Sequence, residues 1–181
     1  MTQTIRINDK IELTEIRETD KPQFVKYLNN KENYDYTLMI PSPYTEADAD
    51  VFINLCREAE KRNGRVVNFA IRNTENGELM GGIGVMTNEK LIAKHKVEIG
   101  YWIGKPFWGQ GIMTEVVRGF SDFWLQNSDY VRLEAMVFAP NLASKRVLEK
   151  AGFTLEGFGK QFYIKPLDGS VKDVYLLSKV K

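Results

Sequence analysis

Phe107-Trp108-Gly109-Gln110-Gly111-Ile112-Met113-Thr114-Glu115 sets two glycines, two residues apart, between a strand and a helix. Glycine lets a backbone approach an anion with no Cβ in the way, and the unpaired N–H groups and positive dipole end of the following helix face the same anion. The junction therefore reads as a phosphate cradle. Upstream, Val97, Ile99, Tyr101 and Ile103 alternate against a mixed face, marking a strand that Gly104-Lys105-Pro106 ends. Downstream, Ile112, Met113, Val116, Val117, Phe120, Phe123 and Trp124 recur at helical spacing, with Glu115, Arg118 and Asp122 on the wet side. A Walker loop is excluded, because Ile112 and Met113 follow Gly111 where a lysine and a hydroxyl would have to reach phosphate and magnesium. A dinucleotide fingerprint is weak: Thr114 stands in place of its third glycine, and the helix is still running near where a ribose-binding acid is needed. A glycine turn that only reverses the chain stays open on this stretch alone.

A second segment narrows the choice. Val131 to Val137 reads as another strand, followed by Ala139-Pro140-Asn141-Leu142-Ala143-Ser144 and a short helix that stops at Lys150-Ala151-Gly152-Phe153. With both motifs in order, the chain resembles the GNAT superfamily of acetyl-CoA-dependent N-acetyltransferases. The glycine turn is similar to that superfamily's pyrophosphate loop, and the Asn-led helix to its second cofactor-binding segment. Glu98-Ile99-Gly100-Tyr101-Trp102, Trp108-Gly109-Gln110-Gly111, Thr114-Glu115 and Asn141-Leu142-Ala143-Ser144 together resemble the ribosomal-protein N-terminal acetyltransferases of the RimJ/RimL type. The likeness runs from Ile11-Glu12-Leu13-Thr14-Glu15-Ile16-Arg17 to the last strand. Two departures stand out. Trp108 and Met113 replace the Gln or Arg and the Gly or Ala of many GNAT loops, Trp108 being usual in the Rim-like branch. Leu148 stands where many members carry a tyrosine proposed to protonate the departing thiolate.

The resemblance implies a mixed α/β (α+β) fold, with a mostly antiparallel seven-stranded sheet, helices on both faces, and a splay between the fourth and fifth strands. It implies acetyl-CoA as co-substrate and no metal. Trp102 and Ile103 would lie where the splayed strand bonds the pantetheine arm and thioester carbonyl. Gly109, Gln110, Gly111, Ile112 and Met113 would hold the pyrophosphate, Asn141 the pantetheine amide, and Ser144 would be a cofactor partner or the acid in place of Leu148. Acetyl transfer needs a neutral amine, a polarised carbonyl and a stabilised leaving thiolate. Glu98, just before the splay, is the candidate base, with Glu134 and Glu156 as alternatives.

For the acceptor, Asn33 to Tyr44 bridges the first two helices. Tyr34, Tyr36 and Met39 are the candidate substrate-binding residues, although the same residues could seal the core. Phe162 and Tyr163 on the last hairpin would form the opposite wall. The Rim-like resemblance makes a protein N-terminal α-amine, such as that of a ribosomal protein, the leading acceptor. A polyamine, an amino acid or a drug amine is the alternative, and a noncatalytic acyl-CoA sensor is a reading from another class.

Composition fits one acetyltransferase domain over residues 1–181: a hydrophobic share of 43% supplies a core, and 25 basic against 24 acidic residues give no electrostatic footprint for nucleic acid. No apolar run approaches a membrane span, and Met1-Thr2-Gln3-Thr4 lacks a leader's apolar segment, so the expected setting is cytoplasmic. Cys56 is alone, on the apolar side of a predicted helix, and reads as core; His95, also alone, reads as surface, and no clustered ligands suggest a metal. Strands are expected at Ile11–Arg17, Val66–Ile71, Leu79–Val85, Thr154–Ile164 and Val171–Val180. Thr19-Asp20-Lys21-Pro22 starts a first helix, and Thr45-Glu46-Ala47-Asp48 caps a second that runs to about Arg62. Edge strands leave a homodimer conceivable.

Overall fold

A computed structural model describes residues 3–87 and 93–181. Met1 and Thr2, half of the segment on which the absence of a leader was argued, lie outside them. Among the described residues one sheet holds eight strands in the order β1-β2-β3-β4-β5-β6-β8-β7. These are β1 (Ile5–Arg6), β2 (Ile11–Glu15), β3 (Asn68–Asn73), β4 (Leu79–Met86), β5 (Lys96–Ile103), β6 (Arg132–Phe138), β7 (Thr154–Ile164) and β8 (Val171–Val180). The expected seven strands are corrected to eight by β1, which pairs Ile5 with Leu13 and Arg6 with Glu12 and is too short to show a period in the sequence. All pairings are antiparallel except β5 with β6.

Helices α1 (Lys21–Leu28) and α3 (Glu46–Asn63) cover one face, packing Phe24, Leu28, Ala49 and Ile53 on Ala70 and Leu79. Helices α4 (Ile112–Asn127) and α5 (Leu142–Lys150) cover the other, where Val116, Val117, Phe120 and Leu148 meet Leu13, Phe69, Ile99, Leu133 and Leu177. Odd-numbered residues of β5 point into this second layer and even-numbered ones to the first, as a period of two requires.

Local chemistry sets the ends. Thr45 accepts from the Asp48 N–H while the Asp48 carboxylate takes the Thr45 N–H at 2.8 Å, the capping box read from the sequence. Before α1, the buried Arg72 guanidinium forks onto Asp20 at 2.8 and 2.7 Å and bonds the Thr14 hydroxyl at 2.6 Å. Such a two-pronged pair fixes orientation, and losing one partner would strand a buried charge. Helix α2 (Lys31–Tyr36) was expected as loop: its six residues carry no apolar period, and it starts because Asn30 accepts from the Asn33 N–H.

The join between β5 and β6 positions everything that follows. Their parallel pairing covers Lys96 with Arg132, Val97 with Leu133 and Glu98 with Glu134, and then stops. Beyond Glu98, β5 continues to pair with β4 as far as Ile103, and β6 pairs with β8 as far as Phe138. The sheet thus opens as a V with Glu98 at its apex, the splay expected between the fourth and fifth of the strands foreseen.

Candidate active site

The register of β5 decides which of its groups face the V. Gly104 N–H donates to the Met80 carbonyl at 2.8 Å, and antiparallel pairs alternate between bonded and unbonded positions. Trp102 and Gly100 therefore turn their backbone groups to β4, while Tyr101 and Ile103 turn theirs to the opening. On this register the Trp102 backbone is committed to the sheet, and its indole packs 5.5 Å from the Phe24 ring on the α1 side. Ile103 does face the opening, with its carbonyl taken by the Trp108 indole N–H at 2.8 Å. That bond ties the glycine turn to the end of β5.

The turn itself is built as a cradle. Gly109 and Gly111 sit at φ of 74° and 79°, a left-handed conformation that side-chain-bearing residues adopt only at a cost. Gly111 occupies the cap position of α4 with no side chain capping it. Among the described residues, the N–H groups of Gly109, Gln110, Gly111, Ile112 and Met113 have no hydrogen-bond acceptor. A Cβ at either glycine would meet nothing within 4 Å, so it is the backbone conformation and not crowding that calls for glycine there. Gln110 contributes through backbone alone, since its side-chain amide donates to the Pro106 carbonyl at 2.9 Å. A run of uncapped amides at a helix start is what an anion such as pyrophosphate requires.

Across the V lies the start of α5. Asn141 caps it by accepting from the Ser144 N–H at 3.1 Å, which leaves its amide nitrogen without an acceptor among the described residues. The Ser144 hydroxyl meets the Tyr101 hydroxyl at 2.8 Å. Sequence reasoning took Tyr101 as one more apolar position of an alternating strand; its polar tip was the signal, and a phenol on the core face usually finds a partner. Burial pushes the Tyr101 phenol well above its usual range, with the Ser144 bond opposing, so the pair is neutral. Leu148 lies fully buried in the main core, so no phenol stands at that helix position.

The three candidate carboxylates separate by their partners. Burial raises Glu134, but hydrogen bonds from Arg132 at 2.7 Å and Lys96 at 2.9 Å outweigh it and lower its pKa overall. Glu156 is held down to about 2 by hydrogen bonds from Arg132 and from the Ser178 hydroxyl. Among the described residues Glu98 has neither kind of bond, and burial, reinforced by the charge of Glu134 and opposed by Lys96, raises its pKa. Two carboxylates are thus locked in ion pairs, and the third, at the apex, binds protons more readily than usual.

The two segments expected to flank an acceptor are tied to each other. Lys165, fully buried, donates to the Tyr34 carbonyl and lies 3.3 Å from the centroid of its ring, while the Tyr34 hydroxyl donates to Asp168 at 2.8 Å. Tyr34, half-buried, therefore fastens α2 to the β7–β8 hairpin. Tyr36 and Met39 are exposed. On the hairpin, Gln161 at φ 51° sits in a bulge whose N–H is met by Asp173 at 2.7 Å, and Tyr163 beyond it donates to the Met136 sulfur at 2.7 Å. Cys56 lies half-buried, its thiol pushed up to about 12 by burial, which suits packing and not nucleophilic attack. Among the described residues no His, Cys, Asp and Glu cluster could hold a metal, and no helix is long and apolar enough to cross a membrane.

Comparison with known proteins agrees with this geometry. Residues 10–154 match the acetyltransferase (GNAT) domain family. A probable N-acetyltransferase, YjcK of Bacillus subtilis, is 34% identical over 113 residues, which are 56% of this chain and 62% of that protein. The ribosomal-protein-serine acetyltransferase of Escherichia coli is 27% identical over 187 aligned positions, covering 99% of this chain and 98% of that enzyme. The crystal structure of the Microcin C7 self immunity acetyltransferase MccE, in complex with acetyl-CoA and AMP, superposes with a TM-score of 0.82 at 23% identity over 97% of this chain and 94% of that one, a likeness of fold. With four fifths of its length inside the family match, and with the V-shaped sheet and glycine turn in place, the chain belongs to the GNAT acetyltransferase domain family.

Proposed function

We propose that the chain is an N-acetyltransferase that moves an acetyl group from acetyl-CoA to a primary amine, a protein N-terminal α-amine foremost. The observation that carries this reading is the open row of amides from Gly109 to Met113 beside the V between β5 and β6. Pyrophosphate would lie on those amides, the pantetheine arm would enter the V past Asn141, and the Tyr101 N–H faces the space where a thioester carbonyl would rest. Acetyl-CoA supplies the activated acyl carbon. Glu98 takes a proton from the acceptor ammonium, directly or through water, so that the amine nitrogen can attack and form the new C–N bond. As the C–S bond breaks, Ser144, bonded to Tyr101, gives a proton to the sulfur, the nitrogen sheds its second proton to solvent, and Ser144 regains one from solvent.

The protein α-amine is favoured because the Escherichia coli enzyme matching nearly the whole chain is a ribosomal-protein-serine acetyltransferase. A polyamine, amino acid or drug amine is the competing acceptor, and the setting that suits a ribosomal-protein acceptor is cytoplasmic. The sensor reading gains from Leu148 but loses from the Ser144–Tyr101 pair, which supplies hydroxyls near the place of the missing phenol. Release of free CoA should be measured with ribosomal-protein N-terminal peptides, polyamines and amino acids. Turnover with peptides alone supports the proposal. Turnover only with small amines moves the acceptor class, and tight acetyl-CoA binding with no turnover across the panel overturns catalysis.

A further inference from the structure

Glycines on β4 and β5 form a trough on the sheet face opposite α4 and α5. Gly84 pairs with Gly100, and Gly82 with Trp102. Gly82 and Gly84 are covered: a Cβ at Gly82 would stand 2.7 Å from the Trp102 indole nitrogen, and one at Gly84 would stand 2.1 Å from the Asn68 side-chain oxygen. At Gly100, among the described residues, a Cβ would meet only the Met86 methyl, at 3.6 Å. Gly100 is accordingly exposed, although it lies inside a strand with four sheet neighbours on one side and three on the other. The opening has defined sides. Glu98 and Trp102 share its face, each about 7 Å along the strand. Met136 stands two residues past Glu134, where it would oppose Gly100 had the pairing of Glu98 with Glu134 continued, and it is held there by Tyr163.

We infer that the opening over Gly100 receives the acceptor's ammonium group, with Glu98 as its counter-charge and Trp102 and Met136 as its apolar sides, so that Gly100 determines which amines gain access. This rests on the N-acetyltransferase reading and on the acceptor site which that reading implies, and adds to it Gly100 as the residue that limits the acceptor. An anionic acceptor would be repelled by Glu98, and a neutral apolar one would bury that carboxylate without compensation. A primary ammonium satisfies it and can then hand it a proton. Glu134 and Glu156 offer no such service, being paired already.

The test exploits the ordinary backbone of Gly100, which is not among the glycines at positive φ, so that side chains are allowed there. Gly100→Ala and Gly100→Val should keep acetyl-CoA affinity, read by calorimetry, within about twofold, because the Gly100 backbone faces β4 and not the V. KM for whichever panel amine the wild type acetylates should rise a few-fold in Gly100→Ala and at least about tenfold in Gly100→Val, the added methyls filling the opening. If Gly100→Val fails to fold, Gly100→Ser takes its place. An unchanged KM for the amine overturns the inference, as does an equal loss of acetyl-CoA affinity. Should the wild type acetylate nothing, the catalytic reading falls by itself. Calorimetric binding of the peptide Ala-Ala-Ala to the CoA-bound protein then decides this one: binding that Gly100→Val abolishes sustains it, and no binding, or binding that survives, refutes it.

Discussion

At the apex of the V, Glu98 lies between a lysine that stabilises its charge and a glutamate that opposes it, and burial decides the balance upward. A base with a raised pKa loses activity as pH falls through that value, so kcat/KM should show an acid limb above the usual carboxylate range. Glu98→Gln should lower kcat by about 10²–10⁴-fold and remove the limb while leaving acetyl-CoA affinity nearly intact. A limb that survives the substitution would return the role to Glu134, whose ion pairs make it the poorer candidate. On the other arm of the V, Ser144→Ala should cost more in kcat than Tyr101→Phe. The serine carries the proton, whereas the phenol orients it through one hydrogen bond worth about 1 kcal/mol, or several-fold in rate. Equal losses would indicate that both hydroxyls lie on the proton path. Motif position singles out Glu98 and Ser144 as candidates but not Tyr101, because a strand's period of two assigns a residue to a face and says nothing of what its polar tip will meet there.

The glycine turn is an element whose geometry and function share one cause. Left-handed backbone at residues 109 and 111 points successive amides the same way, and a non-glycine residue there costs about 1–2 kcal/mol. Because a Cβ would touch no protein atom, Gly109→Ala and Gly111→Ala should lower Tm by a few degrees for the backbone alone. They should weaken acetyl-CoA binding by at least about tenfold, as a residue that resists positive φ turns the amides out of line. A variant that melts lower but binds acetyl-CoA normally would take the cradle assignment away. This element was nearly complete in the sequence, since glycine spacing, strand alternation and helical period each mark it separately. Others were hidden for physical reasons. Strand β1 is two residues long, and α2 depends on the Asn30 cap and on contacts with a hairpin more than a hundred residues away. The expected strand at Val66 begins at Asn68 instead: Val66 and Val67 are buried, but apolar residues leading into a strand look like part of it.

Over the whole molecule, the V divides the sheet into β1–β5 and β6–β8, joined at only three paired positions. Helices α4 and α5 close it from one side. On the other, the two parts meet through Lys165, Tyr34 and Asp168, which fasten α2 to the β7–β8 hairpin. Lys165→Met keeps a similar volume and removes the buried charge, a change often neutral or stabilising. It also leaves the Tyr34 carbonyl without this donor and removes the cation from its ring. These terms oppose one another at about 1–2 kcal/mol each, so Tm should move by no more than a few degrees. Hydrogen exchange should respond more strongly. The six-residue α2 has little helical stability of its own, and its amides should exchange faster once the latch is gone while those of α4 do not change. If the latch sets the width of the acceptor cleft, KM for the amine rises in the same variant and acetyl-CoA affinity stays level, because the cradle and the V belong to elements that Lys165 does not touch. Unchanged exchange in α2 would mean that the helix is held by its other contacts, and that the width of the cleft is fixed by the sheet.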